Sequence, residues 1–314
     1  MDFVGKRRWF FLLSALIILP GLVSLIIPPS FHLGIDFTGG STITTKFRVP
    51  VSQEAVRAQL DLLGHPEATI QQSGGIDYFI RTSELAGPNI KDGKESEEAL
   101  LLQALDSLGE RRGTEVELVA GLIANETRNS AFLIVFLAAI AILLFVTYAF
   151  RSIPSPFRYG MAAIIALVHD LVVILGIFSI LGKLIDLEVN AMFITGMLFV
   201  IGYSVNDTIV VFDRIRENVA RMQGQPLEVA VNNSILESLG RSMATSLTLL
   251  FAVLALLLLG GESIREFLIV LLIAIITGTY SSICIASQFL VVWEKGEGRR
   301  LLRSVPFFSS RSRT

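Results

Sequence analysis

The residues of this chain that could do chemistry sit where charge is expensive. Asp170 and Asp207 lie inside the long apolar runs Met161–Leu181 and Val189–Phe212. A carboxyl at the centre of a membrane helix costs about 2.5–3.5 kcal/mol on insertion scales. If Asp213 marks the water boundary, Asp207 lies roughly 9 Å deeper, at ~1.5 Å per helical residue. Counted from Met161, Asp170 is about 13 Å in, near the midplane. Acids kept at such depth are often parts of a proton or ion relay, and two on neighbouring spans can share one site. Each elementary charge moved across the field is worth ~2.3 kcal/mol per 100 mV. Arg241, at the head of the run Ser242–Leu259, is placed to pair with one acid and release it on protonation. Thr245 and Thr248, at i+4 and i+7 from Arg241, continue its side of that helix, and Thr277 and Ser281 offer hydroxyls on the last run. His169 beside Asp170 and Asn206 beside Asp207 are supporting polar groups. A second role fits each of these residues: tying helices together by hydrogen bonds, with the hydroxyls and glycines only packing. Gly196 and Gly202 fit that packing role, as points of close helix approach.

Other chemistry finds no support. The segment GIDFTGG, with Gly34, Asp36, Gly39 and Gly40, lacks the Lys-Ser/Thr of a phosphate-binding loop and does not link a strand to a helix of a βαβ unit. It reads as a tight turn where the chain leaves the membrane. No catalytic triad is present, so an enzyme is not expected. His32, His65 and His169 are scattered without metal-ligand spacing, and the single Cys284 excludes an intrachain disulfide or a thiolate metal cluster. No cofactor is implied. A net charge of −2 suggests no nucleic-acid partner. Work done by this protein must draw on a gradient or a partner.

The elements that hold these residues follow from composition and period. The 314 residues are 52% hydrophobic and 17% charged, with mean hydropathy +0.65, which is a membrane composition. Six apolar runs can cross a ~30 Å hydrocarbon core: Trp9–Ile27, Ala131–Phe150, Met161–Leu181, Val189–Phe212, Ser242–Leu259 and Phe267–Trp293. Pro20-Gly21 predicts a kink in the first. The expected class is a polytopic α-helical membrane protein with six transmembrane helices and a small external α+β domain. Its parts are residues 1–31 (N-terminus and first span), 32–128 (external domain), 129–293 (five spans with a cytoplasmic loop at 213–241) and 294–314 (basic tail). Within the external domain, Ser41–Val49, Glu67–Gln72, Ile76–Thr82 and Thr114–Ala120 read as strands. Ser52–Leu63 and Glu95–Leu108 read as helices, and Pro88–Lys94 as a solvated loop. The order β-α-β-β-α-β is that of the ferredoxin-like split βαβ motif. After Pro226 an amphipathic helix presents Leu227, Val231, Ile235 and Leu239. Lys and Arg concentrate at the N-terminus, in the 213–241 loop and in the tail, so both termini are expected in the cytoplasm. The tail should be attracted to anionic lipid.

The pattern of motifs resembles a known family. GIDFTGG after a first span, GYSVNDTIVVFDRIREN (residues 202–218) leading out of the fourth, the pair His169-Asp170 and LGRSMATS around Arg241 resemble the SecF branch of the SecD/SecF protein-export family, within the resistance-nodulation-division superfamily. The resemblance implies a subunit of the cell (inner) membrane, or of a thylakoid membrane where the source has one. It implies pairing with SecD, association with the SecYEG channel and YajC, and work on preproteins after the SecA ATPase. It also implies use of the proton motive force, with Asp207 the acid of the proton route and Arg241 its basic counterpart. A structural assembly factor that moves no ions and a small-molecule exporter of the same superfamily are the competing expectations. One six-span half with a soluble domain of about a hundred residues lacks the large porter domains such exporters need.

Overall fold

Away from water every backbone N–H and C=O must bond within its own segment, so apolar runs of this length fold as helices. The computed structural model describes residues 2–73, 75–86, 96–151, 155–261 and 264–296. In chain order the elements are α1 (Arg7–Ile26), β1 (His32–Leu33), α2 (Ile35–Thr38), β2 (Gly40–Phe47), α3 (Gln53–Leu62), β3 (Thr69–Ser73), β4 (Asp77–Thr82), α4 (Glu97–Leu108), β5 (Arg111–Val119), α5 (Gly121–Ala149), α6 (Pro156–Ile185), β6 (Glu188–Val189), α7 (Ala191–Arg221), α8 (Leu227–Leu259), α9 (Arg265–Ser281) and, after a π-helical turn over Ser282–Ala286, α10 (Ser287–Glu294). They form two units, one of residues up to His32 with those from Leu133 onward, the other Leu33–Phe132. The expected loop 88–94 lies outside the described residues, as does the expected tail 294–314 beyond residue 296.

Six helices are long and apolar enough to cross a membrane: α1, α5, α6, α7, α8 and the run Arg265–Glu294. Two differ from expectation in extent. α5 begins at Gly121, well before its apolar run, and α8 joins the expected amphipathic helix and fifth span into one 33-residue helix. Nothing after Pro226 breaks the ladder; Gly240 costs only about 1 kcal/mol against Ala. The 213–241 segment is therefore a helical hairpin turning at 222–226. Pro20 stays within α1, and its neighbour Gly21 has a packing role: a Cβ there would stand 2.7 Å from the Cα of Gly176 on α6. Close helix approach of this kind needs residues without side chains.

The smaller unit is a four-stranded antiparallel sheet ordered β3-β4-β2-β5, covered by α3 and α4. Ser52 caps α3 by accepting from the Ala55 N–H at 3.2 Å, and Ser96 caps α4 by accepting from Ala99 at 3.1 Å. Val56 and Leu60 of α3 and Leu101 and Leu105 of α4 meet Ile43, Phe47, Ile70, Tyr78 and Ile80 of the sheet. Each such aliphatic burial is worth about 1.5–3 kcal/mol. The glycine segment is a turn of this unit. Ile35–Thr38 makes one helical turn, with Asp36 in it and Gly34 before it, and Gly39 (φ +75°) and Gly40 (φ +131°) then feed β2. A Cβ on Gly40 would stand 2.7 Å from the Thr82 carbonyl oxygen, and one on Gly39 would stand 3.0 Å from the Cα of Gly121.

Two predictions concern this unit. Replacing Gly40 with Ala forces both a left-handed conformation and a clash, which should destabilise the unit by about 1–3 kcal/mol. Faster hydrogen exchange in β2 and β4 of the full chain would show it. Glu67 is held down from 4.5 to about 2 by its own backbone N–H and then by the Ser83 hydroxyl at 2.9 Å. A carboxyl depressed on folding stabilises fully above its unfolded value, and that contribution is lost as pH falls through the folded value. Wild-type protection in β3 and β4 should therefore fall between about pH 4.5 and 2, and Glu67→Gln should flatten that part of the profile.

Candidate functional site

The face of α6 that turns inward carries Ala162, Ala163, Ala166, Leu167, Asp170, Val173 and Ile174, all buried. Small residues on that stripe let neighbours approach, and Asp170 ends up with no exposed surface. Its Oδ2 accepts from Ser204 Oγ of α7 at 2.6 Å and from Ser281 Oγ of α9 at 2.7 Å. Its Oδ1 lies 3.0 Å from His169 Nδ1. The other ring nitrogen of His169 lies 3.0 Å from Ser14 Oγ of α1, which in turn lies 3.1 Å from the Tyr280 hydroxyl. Tyr280 donates to the Phe10 carbonyl at 2.6 Å. Asp170 is thus one end of a hydrogen-bonded chain reaching α1.

Asp207, 8% exposed, occupies the inward face of α7, one turn beyond Ser204. Its Oδ1 accepts from Ser242 Oγ of α8 at 2.8 Å and its Oδ2 from Ser282 Oγ at 2.6 Å. Hydrogen bonds to a charged group contribute about 1.5–3 kcal/mol each, and a buried carboxylate without them would be far less stable. The two acids are therefore linked twice through single elements. α7 carries Ser204 for one and is the helix of the other. The residues Ser281 and Ser282 divide between them. No lysine or arginine pairs with either acid among the described residues, nor do three or more His, Cys, Asp or Glu gather as metal ligands there.

The remaining sequence candidates lie elsewhere. Arg241 is exposed and forms no ion pair among the described residues. The expected pairing with a carboxyl is not formed, because at 100° per residue the neighbour Ser242 takes the inward position and Arg241 points away. Thr245 and Thr248 are exposed on that outer side, and their hydroxyls bond back to the Arg241 and Ala244 carbonyls at 2.9 and 2.8 Å. Thr277 likewise bonds to its own helix at Ile273. Asn206 is exposed beside Asp207, and its amide bonds neither that acid nor a neighbouring helix among the described residues. Gly196 does serve close packing, since a Cβ there would meet Val270 at 2.8 Å, whereas Gly202 is exposed with nothing near it. Gly34, Asp36, Gly39 and Gly40 belong to the smaller unit's turn.

Sequence reasoning missed Ser14, Ser204, Ser242, Ser282 and Tyr280. One signal was available. Ser234, Ser238, Ser242 and Ser246 recur every fourth residue on α8 and are all buried.

Comparison with known proteins agrees with this architecture. Residues 101–296 match the family model described as protein export membrane protein SecD/SecF, C-terminal, and residues 31–51 match the SecD/SecF GG motif. The chain is 44% identical to the protein translocase subunit SecF of Thermobaculum terrenum, covering 96% of this chain and 97% of that one. It is 38% identical to the SecF subunit of Anaerolinea thermophila, covering 95% and 96%. The crystal structure of SecDF from Thermus thermophilus, described as a translocon-associated membrane protein, superposes with a TM-score of 0.80 at 32% identity. That match covers 94% of this chain and 39% of the SecDF chain, so this chain spans about two fifths of its length. With near-complete coverage at these identities, the chain belongs to the SecF family of protein translocase subunits.

Proposed function

We propose that this chain works with a SecD partner to assist Sec-dependent translocation of preproteins, drawing on the proton motive force. Asp207 and Asp170 are the groups that carry the protons. Family membership supports the translocation role, and the solved relative in which SecD and SecF share one chain supports the pairing. The observation that carries the proton reading is the site itself. Two carboxyls are buried in membrane helices, bonded to hydroxyls that can either donate or accept, with no lysine or arginine paired to them among the described residues. A carboxyl meant only to join helices gains most from a permanent cationic partner; one held by hydroxyls can change its proton without leaving a buried charge unpaired.

Arg241 takes its part at the joint face. Arg241 and Asn206 directly precede the bonded pair Ser242 and Asp207, and both are exposed at the α7–α8 junction. Polar groups facing lipid are unfavourable, so a polar surface of SecD covers them and brings Arg241 into the proton route. By the Lys/Arg distribution both termini lie in the cytoplasm of a cell (inner) membrane and the small unit lies outside. The strand order β3-β4-β2-β5 supports reading it as a ferredoxin-like split βαβ domain. SecYEG, YajC and SecA complete the assembly.

The second reading is a scaffold that moves no ions, favoured by the full hydrogen bonding of both acids. Complementation of depleted cells separates the two, with membrane level and co-purification with SecD checked for each variant. Asp207→Asn should assemble normally and lower preprotein export by about tenfold or more, because the amide cannot exchange a proton. Arg241→Met should also fail to restore export, with its SecD association weakened. Full export by Asp207→Asn would leave the scaffold reading.

A further inference from the structure

Ser281 and Ser282 are consecutive, wholly buried, and bonded to different acids: Ser281 Oγ donates to Asp170 Oδ2 at 2.7 Å, and Ser282 Oγ donates to Asp207 Oδ2 at 2.6 Å. We propose that these two serines are a positioning pair that couples the acids, so that protonation of one is felt at the other. The proposal rests on the reading that the acids carry protons.

The coupling follows from what a hydroxyl must do when its partner changes. A carboxylate only accepts, whereas a carboxylic acid donates through its own O–H. When an acid takes a proton, its serine can accept that bond and must place its own hydrogen elsewhere. Both serines have a second acceptor within reach: the Gly278 carbonyl at 3.2 Å from Ser281 Oγ, and the Thr279 carbonyl at 3.1 Å from Ser282 Oγ. Each hydroxyl therefore has two bonded positions, one per protonation state. Back-bonding to the preceding turn also bends helices.

The backbone at this point can transmit such a change. Regular α9 ends at Ser281 and the π-helical turn begins at Ser282. π turns of this kind are frequent at functional sites. Here side chains bond to carbonyls of the turn: Ser287 Oγ donates to the Ser282 carbonyl at 2.9 Å and Gln288 Nε2 to the Ile283 carbonyl at 3.3 Å. A move of Ser281 toward the Gly278 carbonyl thus acts on the peptide that sets Ser282. The groups facing Asp170 are His169 on its own helix, Ser204 on α7 and Ser281 on α9; those facing Asp207 are Ser242 on α8 and Ser282. His169 is the one other titratable group bonded to either acid among the described residues, and of the two links between the acids, through α7 and through Ser281-Ser282, the serine pair is the one that places a donating hydroxyl on each.

Infrared difference spectroscopy of the full chain in lipid nanodiscs tests this. Bands of each carboxyl are assigned by their loss in Asp170→Asn and Asp207→Asn. In the otherwise wild-type chain, Asp170→Asn should shift the Asp207 carboxyl bands. With Ser281→Ala and Ser282→Ala together that shift should be lost, and with Thr at both positions, which keeps the hydroxyls, it should be retained. Should the double alanine chain not fold, the two single alanine variants carry the same comparison. An Asp207 shift of equal size with and without the serine hydroxyls overturns the coupling. The proton-carrying reading fails on separate grounds, through export by Asp207→Asn, which these spectra do not measure.

Discussion

Two carboxyls buried among membrane helices must be met by donors, and that requirement organises the larger unit. An unpaired buried carboxylate costs several kcal/mol, so the helices around it are fixed in rotation by the hydroxyls they supply. Asp170 on α6 constrains α7 through Ser204 and α9 through Ser281; Asp207 on α7 constrains α8 through Ser242 and the π turn through Ser282. His169 extends the same logic to α1 through Ser14. Val205, Val211, Phe212 and Ile215 of α7 pack with Ile235, Ile283 and Leu290 in one buried apolar cluster on the helices that carry this network. Low dielectric strengthens every bond within it and makes each change of proton consequential.

The same constraint separates the inner and outer faces of α7 and α8. One residue of rotation decides between Ser242, bonded to Asp207, and Arg241, exposed. The same step separates Asp207 from Asn206. Arg241 and Asn206 thus lie on the outer faces of these helices, away from the hydroxyls that hold Asp207. The solved relative SecDF is a chain more than twice as long as this one.

Much of this was legible in the sequence because its signals are strong and local. A carboxyl inside twenty apolar residues is conspicuous, so Asp170 and Asp207 stood out, as did the six helix-length apolar runs. In the smaller unit, the helices expected at Ser52–Leu63 and Glu95–Leu108 and the four expected strands correspond to α3, α4, β2, β3, β4 and β5. The partners of the acids were not legible. A serine in an apolar run is close to neutral and reads as packing until the facing helix is known. The rotation of Arg241 away from the site depends on the phase of α8 over its whole length, which the break expected between an amphipathic helix and a span concealed. The π turn leaves no mark in a run as uniform as Ser282–Ala286. Gly21 was read as part of a kink because its contact, Gly176, is 155 residues away in sequence.

The central claim is that the buried acids exchange protons with the aqueous phases during translocation. Proton uptake into proteoliposomes containing this chain, a SecD partner and the translocation channel measures it directly, with a preprotein engaged and a pH-sensitive dye inside. The account predicts uptake that depends on the preprotein, disappears in Asp207→Asn and is reduced in Asp170→Asn, with assembly intact in both. Equal uptake by wild type and Asp207→Asn would contradict it, and would assign the serine-held carboxyls to holding helices together.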